Sequence, residues 1–268
     1  MAISKNQYKQ IDFSKYSSIK IGPKTNILVI NEIADYKNYQ ILGLANNVLI
    51  SNNPPSFCTL GSSFDYIIQK NNKLYIGAST KSSKVLAYIK KHNIAHLEFL
   101  GKLPGSIGGL VKMNAGLKEY EIFNVISSIK TKDGYISKSD IEYSYRHTNI
   151  NTIIYEVVIN IEYGFSQNKT LVFKNMRNNQ PNEYSAGSCF KNPQKNWAAK
   201  LIEGCNLKGF RKGDMQFSNK HSNFLINLNN GTFDDAIYLI NLAKDRVKEK
   251  YNINLEEEII IYDKTKQF

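Results

Sequence analysis

Gly101-Lys-Leu-Pro-Gly-Ser-Ile-Gly-Gly109 places four glycines and one proline in nine residues, and Met113-Asn-Ala-Gly116 follows closely. Main-chain N–H groups in such a loop can approach phosphate oxygens closely, because no Cβ intervenes. A tight connection between packed elements explains the same composition equally well. The small residues of 113–116 would let a flat ligand or another backbone come near. Gly43-Leu-Ala-Asn-Asn47 is a weaker stretch of the same kind. None of these matches the GxxxxGK[ST] phosphate loop. No regular β-α-β alternation with a GxGxxG fingerprint appears, so a dinucleotide Rossmann domain is not expected.

Around this stretch the first half alternates short apolar runs with turns. Asn26-Ile-Leu-Val-Ile30 and Val48-Leu-Ile50 read as buried strands, and Leu74-Tyr-Ile76 as a strand running into a turn at Gly77. Residues 81–92 carry Val85, Leu86 and Ile89 at helical spacing, with lysines on the solvated face. Residues 125–130 and 152–163 read as strands, with Asp133-Gly134 as a turn between them. From about residue 164 the texture changes. Residues 171–177 and 197–202 read as short helices. Residues 232–251 form the clearest helix, with Thr232 and Asp235 as a capping start and an apolar stripe through Ala236, Leu239, Ile240, Ala243 and Val247. Residues 255–262 read as a closing strand. The class is mixed α and β.

The chain has 268 residues, 42% hydrophobic and 22% charged, which excludes a mainly disordered chain. Its 35 Lys and Arg against 23 Asp and Glu give a formal net charge of +12, and so raise the question of an anionic partner. Cys58, Cys189 and Cys205 form no disulfide framework and no CxxC pair, which favours a reducing compartment. His92, His96, His147 and His221 lack metal-ligand spacing, and no metal is expected. The start, MAISKNQYKQ, has no apolar core of a signal peptide, and no apolar run approaches a membrane span.

Three further stretches could carry chemistry. Ser185-Ala-Gly-Ser-Cys-Phe-Lys-Asn-Pro193 lacks a GxSxG elbow, so a Ser-His-Asp hydrolase is poorly supported, and a lone Ser is usually a turn or cap residue. In Tyr143-Ser-Tyr-Arg146 an Arg sits beside aromatics, which a surface Arg stacked on Tyr also explains. In Leu255-Glu-Glu-Glu258 a charge run precedes an apolar strand; such runs are normally solvated, but a carboxylate entering a strand can be held in a cleft.

Taken in order, these stretches resemble the UDP-N-acetylenolpyruvoylglucosamine reductases, flavoenzymes of bacterial cell-wall precursor synthesis. The likeness opens at Tyr16-Ser-Ser-Ile-Lys-Ile-Gly22 and continues at residues 43–47. It is strongest at residues 103–109 with 113–116, which look like the flavin-binding PG(T/S)(V/I)GG…NAG signature. It runs on through Tyr145-Arg146, residues 186–193 and residues 213–227, and closes at Leu255-Glu-Glu-Glu-Ile259. The resemblance implies an α+β protein: a vanillyl-alcohol-oxidase-type (PCMH-type) FAD-binding fold of two subdomains plus a C-terminal α+β substrate domain. The expected boundaries are 1–57 joined by the C-terminal strand 255–268, then 58–163, then 164–254. The chain looks like the compact second type of the enzyme.

The implied chemistry moves hydride from NADPH to FAD and on to the vinyl CH2 carbon of UDP-N-acetylglucosamine enolpyruvate. Charge then develops on the adjacent carbon and its carboxylate, and needs preorganised donors. By resemblance Arg146 meets that charge, Glu258 polarises the same end of the substrate, and Ser188 gives the proton, with Ser185 the decoy in the same segment. The flavin would be held by Gly43, Asn46, Asn47, Pro104, Gly105, Ser106, Gly108, Gly109, Asn114, Ala115 and Gly116. The substrate would be met by Tyr145, Lys191, Asn192 and His221. The loop 43–47 departs from the family's GxGSN at Leu44, Ala45 and Asn46, Asp214 stands where a second Gly is frequent, and His147-Thr148 follow Arg146. A cytoplasmic monomer with no specific nucleic-acid partner is expected. The alternatives are another FAD-dependent oxidoreductase or oxidase of the same fold, and a basic nucleic-acid-binding protein, which rests on charge alone.

Overall fold

The computed structural model describes residues 7–265. The residues read for a leader at the start, and the extreme ends of the 1–57 and 255–268 segments, lie partly outside them. The chain divides into two compact units. Among the described residues, the first comprises 7–9, Asn26–Leu44 and Ser56–Asn178; the second comprises Gln10–Thr25, Ala45–Pro55 and 179–265.

The first unit is built on a five-stranded antiparallel sheet. Its spatial order is Gly134–Ser137, Ile126–Thr131, Glu156–Asn160, Lys73–Gly77, Ile67–Lys70. The expected turn falls one residue earlier, at Lys132-Asp133, with Thr131 opposite Gly134, the first residue of the next strand. Glu156–Asn160 lies centrally, and its Val157, Val158 and Ile159 are all buried. Of the expected strand over 152–163 only Glu156–Asn160 is regular, and the residues on either side still bond toward the two neighbouring strands. Tyr155 N donates to the Lys130 carbonyl, and Ile161 N to that of Asn72.

The helix Ser82–Lys91 lies where the lysine-rich pattern predicts, burying Val85 and Ile89. A short helix, Ile107–Lys112, follows the glycine-rich loop. Gln167–Met176 is also helical and belongs to this unit. Its buried Phe173 meets Phe99 and Tyr120 edge-on. The change of texture at 164 therefore precedes the end of this unit at Asn178. Within the same unit, Phe57–Leu60 pairs in parallel with residues 28–30 on one side and Gln40–Ile41 on the other.

The second unit gathers three separate stretches of chain. Its sheet runs Tyr184–Ser188, Phe224–Asn227, Met215–Phe217, Arg211–Lys212, antiparallel throughout. Ala198–Gly204 and Phe233–Tyr251 are its main helices. The second begins as its sequence predicts. Thr232 Oγ1 accepts from Asp235 N at 3.1 Å, two aspartates sit in the first turn, and lysines sit in the last. Its stripe of Ala236, Leu239, Ile240, Ala243 and Val247 is buried in a core with Leu201, Ile202, Phe217 and Leu225. Ile260–Tyr262 pairs in parallel with Val48–Ile50. Only these three residues of the expected 255–262 strand are regular. The preceding glutamates bond instead to residues 189–191.

Candidate functional site

In the first unit the glycine-rich loop enters the helix Ile107–Lys112 with Ser106 as N-cap. Ser106 Oγ accepts weakly from Gly109 N at 3.4 Å. Ile107 N and Gly108 N donate to the carbonyls of Thr80 and Ala78, each at 2.9 Å, and Ser82 N donates to that of Gly105. A Cβ on Gly108 would lie 2.9 Å from that of Ala78, so this glycine serves close packing. The packing reading of the loop thus holds at Gly108. Gly105 and Ser106 keep main-chain N–H groups with no acceptor among the described residues, and so do Gly43 and Leu44 of the same unit. These are donors that a diphosphate fits.

The Met113-Asn-Ala-Gly116 stretch does something the composition does not suggest. Asn114 is fully buried and left-handed, with φ 44°. Its Nδ2 donates to Glu121 Oε2 at 2.8 Å and to the Ser144 carbonyl at 2.9 Å, and its Oδ1 accepts from Phe123 N at 3.3 Å. The side chain is therefore engaged by the protein. Ser144 opens a two-residue hairpin whose turn is Tyr145-Arg146, with Ser144 opposite His147. Arg146 also has positive φ, 54°. Its Nη2 donates to the Gly116 carbonyl at 2.9 Å and its Nη1 to that of Asn114 at 3.4 Å. Glu121 Oε1 stands 3.9 Å from Nη1, with both side chains mostly buried. The guanidinium lies 4.9 Å from the Tyr145 ring centroid. Asn114, Gly116 and Glu121 thus aim an arginine that sequence reading had joined to them only by order along the chain. Nothing in the sequence marks Glu121.

A cavity of about 770 Å³ also lies in the first unit, lined among others by Glu98, Glu119, Glu121, Glu162 and Phe173. It touches none of the expected cofactor or substrate residues. Its lining mixes these four carboxylates with Lys138, Lys169 and His96.

In the second unit Ser188 ends the edge strand Tyr184–Ser188. The register with Phe224–Asn227 slips between Ser185 and Ser188. Gly187 sits at this bulge with φ 84°, a conformation that glycine adopts without penalty, and a Cβ there would meet nothing within 4 Å. Such a bulge re-aims the residue beside it. Ser188 Oγ has no hydrogen-bond partner among the described residues.

Cys189 is completely buried, and burial, with Glu257 and Glu258 nearby, pushes its thiol well above the usual range. It is a neutral packing residue beside the serine. Its carbonyl accepts from Glu258 N at 2.9 Å, and Asn47 Nδ2 donates to the Glu258 carbonyl at 2.9 Å. Lys191 pairs with Glu256. Asn192 Oδ1 accepts from Ala198 N at 3.1 Å, satisfying the first turn of Ala198–Gly204. Asn46 gives its carbonyl to Ser18 Oγ at 2.9 Å. The half-buried His221 has a buried Nδ1 with no partner among the described residues, and burial lowers its pKa.

The fold defined by these elements is a PCMH-type FAD-binding fold followed by a C-terminal α+β domain. It matches the crystal structure of UDP-N-acetylenolpyruvylglucosamine reductase (MurB) from Thermus caldophilus with a TM-score of 0.82, at 23% identity, over 96% of this chain and 100% of that one. The family described as "UDP-N-acetylenolpyruvoylglucosamine reductase, C-terminal domain" matches residues 180–262. A UDP-N-acetylenolpyruvoylglucosamine reductase of Campylobacter jejuni (strain RM1221) is 44% identical over 94% of this chain and 99% of its own length. One of Helicobacter pylori (strain J99) is 40% identical over 94% and 97%. The chain belongs to the UDP-N-acetylenolpyruvoylglucosamine reductase family.

Proposed function

We propose that this chain reduces UDP-N-acetylglucosamine enolpyruvate to UDP-N-acetylmuramate, with NADPH as reductant and FAD as resident cofactor, in peptidoglycan precursor synthesis. The observation that carries the reading is the match to reductases at 40–44% identity over 94% of the chain. FAD, when bound, relays hydride from NADPH to the vinyl carbon. The free main-chain donors of Gly43, Gly105 and Ser106 are assigned to its diphosphate, with Ala115, Gly116 and the remaining small residues beside them. Asn46 and Asn47 are assigned to the cofactor as well. Asn114 supports the site from behind, since its side chain is already bonded.

Hydride addition leaves charge on the neighbouring carbon and its carboxylate, as in an enolate. Arg146 is assigned to that charge. Its guanidinium is held in place before reaction by two carbonyls and a carboxylate, so little reorganisation is needed as charge develops. Ser188 donates the proton to the carbon. A serine hydroxyl is a weak acid, so it must be held within about 3 Å of a basic carbon, and the Gly187 bulge supplies the fixed aim. Solvent returns the proton to Ser188. Glu258 polarises the carboxyl end of the substrate, and Tyr145, Lys191, Asn192 and His221 contribute binding. The same reading makes the protein a cytoplasmic monomer. Among the described residues no helix is long and apolar enough to cross a membrane.

The test is spectroscopic. The purified protein should be yellow, its flavin band should bleach with NADPH, and the band should return on anaerobic addition of the enolpyruvyl sugar nucleotide. In Ser188→Ala, bleaching should persist while the return slows by roughly 100-fold or more. A protein that FAD cannot reconstitute would sink the reading. Rapid return of the band with oxygen alone would favour an oxidase.

A further inference from the structure

After the bulge Ser188 pairs again with Phe224, and Cys189 N still reaches a main-chain carbonyl on the approach to the neighbouring strand, but the regular strand ends at Ser188 and Phe190 has no main-chain partner on that side among the described residues. One side chain takes the ladder's place. Asn223 Oδ1 accepts from Phe190 N at 3.0 Å, and its Nδ2 donates to the Phe190 carbonyl at 2.8 Å. Its own carbonyl accepts from Cys189 N at 2.7 Å. A single planar amide thus pairs with both polar groups of one residue, as a neighbouring strand would. Phe190 is fully buried and Asn223 is 3% exposed, so water cannot substitute for either partner.

The other edge of this short segment carries the closing stretch of chain. The Cys189 carbonyl accepts from Glu258 N at 2.9 Å, and Lys191 N donates to the Glu256 carbonyl at 2.8 Å. Ser188 and Glu258 are therefore both hung on residues 189–191. Asn223 is the side chain that fixes those residues from behind.

We propose that Asn223 is a positioning residue for proton delivery, setting the register in which Ser188 and Glu258 are presented together. The inference rests on the reductase reading and on the roles given to those two residues. Asn suits the task by length and by chemistry. Gln is one methylene longer, and Asp offers acceptors where the Phe190 carbonyl needs a donor.

The experiment follows the two half-reactions of the FAD-loaded enzyme by stopped flow, in wild type, Asn223→Ala, Asn223→Asp, Ser188→Ala and the Asn223→Ala/Ser188→Ala double variant. Flavin reduction by NADPH should stay within about threefold of wild type in Asn223→Ala, while reoxidation by UDP-N-acetylglucosamine enolpyruvate slows roughly 100-fold, the scale of a small misplacement of a reacting group. The double variant should lose far less than the product of the two single losses, because both changes act on the same proton-delivery step. Amide exchange at Cys189 and Phe190 should accelerate in Asn223→Ala. Equal slowing of both half-reactions, multiplied losses in the double variant, or unchanged exchange at Phe190 would each overturn the proposal. Should Asn223→Ala fail to fold, Asn223→Asp keeps the acceptor for Phe190 N and carries the same comparison; a folded Asn223→Asp enzyme with wild-type reoxidation overturns it. Wild-type enzyme that the enolpyruvyl nucleotide never reoxidises overturns the reductase reading, a result distinct from all of these.

Discussion

Replacing Asn114 by aspartate changes two donors into an oxygen while keeping shape, buried position and tolerance of a left-handed backbone. The acceptor for Phe123 N survives. The donors lost are those to Glu121 Oε2 at 2.8 Å and to the Ser144 carbonyl at 2.9 Å. Two carboxylates with charge centres about 4 Å apart repel by about 4 kcal/mol at an effective dielectric near 20. Residual exposure of Glu121, with 20% of its side chain accessible, moderates that. The two lost hydrogen bonds cost about 1 kcal/mol each. The expected destabilisation of Asn114→Asp is therefore about 3–6 kcal/mol near neutral pH, a large share of the 5–15 kcal/mol typical of a domain.

The pH dependence has a definite sign. The introduced carboxyl, buried beside Glu121, is pushed above its unfolded value near 3.9. Its contribution to the deficit grows as pH rises from that value toward the folded one, and disappears on acidification. Urea unfolding followed by far-ultraviolet circular dichroism, from pH 4.5 to 7.5, reads this directly. The midpoint difference between wild type and variant should be widest at pH 7.5 and narrow steadily downward. An unchanged midpoint at pH 7.5, or a deficit independent of pH, would refute the view that Asn114 ties Glu121 to the Arg146 hairpin.

Gly187→Ala should lower stability by about 1 kcal/mol, the cost of a left-handed non-glycine residue, with no steric clash to add. Its larger effect should fall on reoxidation by the sugar nucleotide, read by stopped flow; wild-type reoxidation would show that the bulge does not aim Ser188. His221 is held below its ordinary pKa chiefly by burial, with Lys208 adding and Glu203 opposing. The unfolded chain therefore binds a proton before the folded one does, and this residue costs stability as pH falls through about 6.5. His221→Phe should flatten the fall in unfolding midpoint between pH 7 and 5, and an unaltered slope would contradict the assignment.

Elements governed by local pattern were legible in the sequence. The Thr232 cap and the 3.6-residue stripe define Phe233–Tyr251 without help from the rest of the chain. Strands at 26–30, 48–50 and 74–76 were marked by apolar runs between turn residues. Long-range bonding was not legible. Residues 255–262 read as one closing strand, yet the glutamates at its start bond to residues 189–191, and only Ile260–Tyr262 enters a ladder. Local pattern gives residues 10–25 and 45–55 no signal that they belong with residues beyond 179; only the family resemblance joined the 1–57 segment to the C-terminal strand. The ordered motifs named Arg146, Ser188 and Glu258, but the residues that hold them escaped notice. A buried amide such as Asn114 or Asn223 reads in sequence as any polar residue, because its value lies in partners brought near only by folding.

The parallel pairing of Val48–Ile50 with Ile260–Tyr262 has a consequence for the nascent chain. All three residues of the earlier strand are buried in the finished protein, and its partner strand is translated roughly 200 residues later. At about 5–20 residues per second, that apolar edge waits some ten to forty seconds outside the ribosome without its mate. The first unit has all its segments by Asn178 and can close during that interval. The second cannot be completed until Ile260–Tyr262 have been made, so its early strand stays unpaired long after the first unit can close.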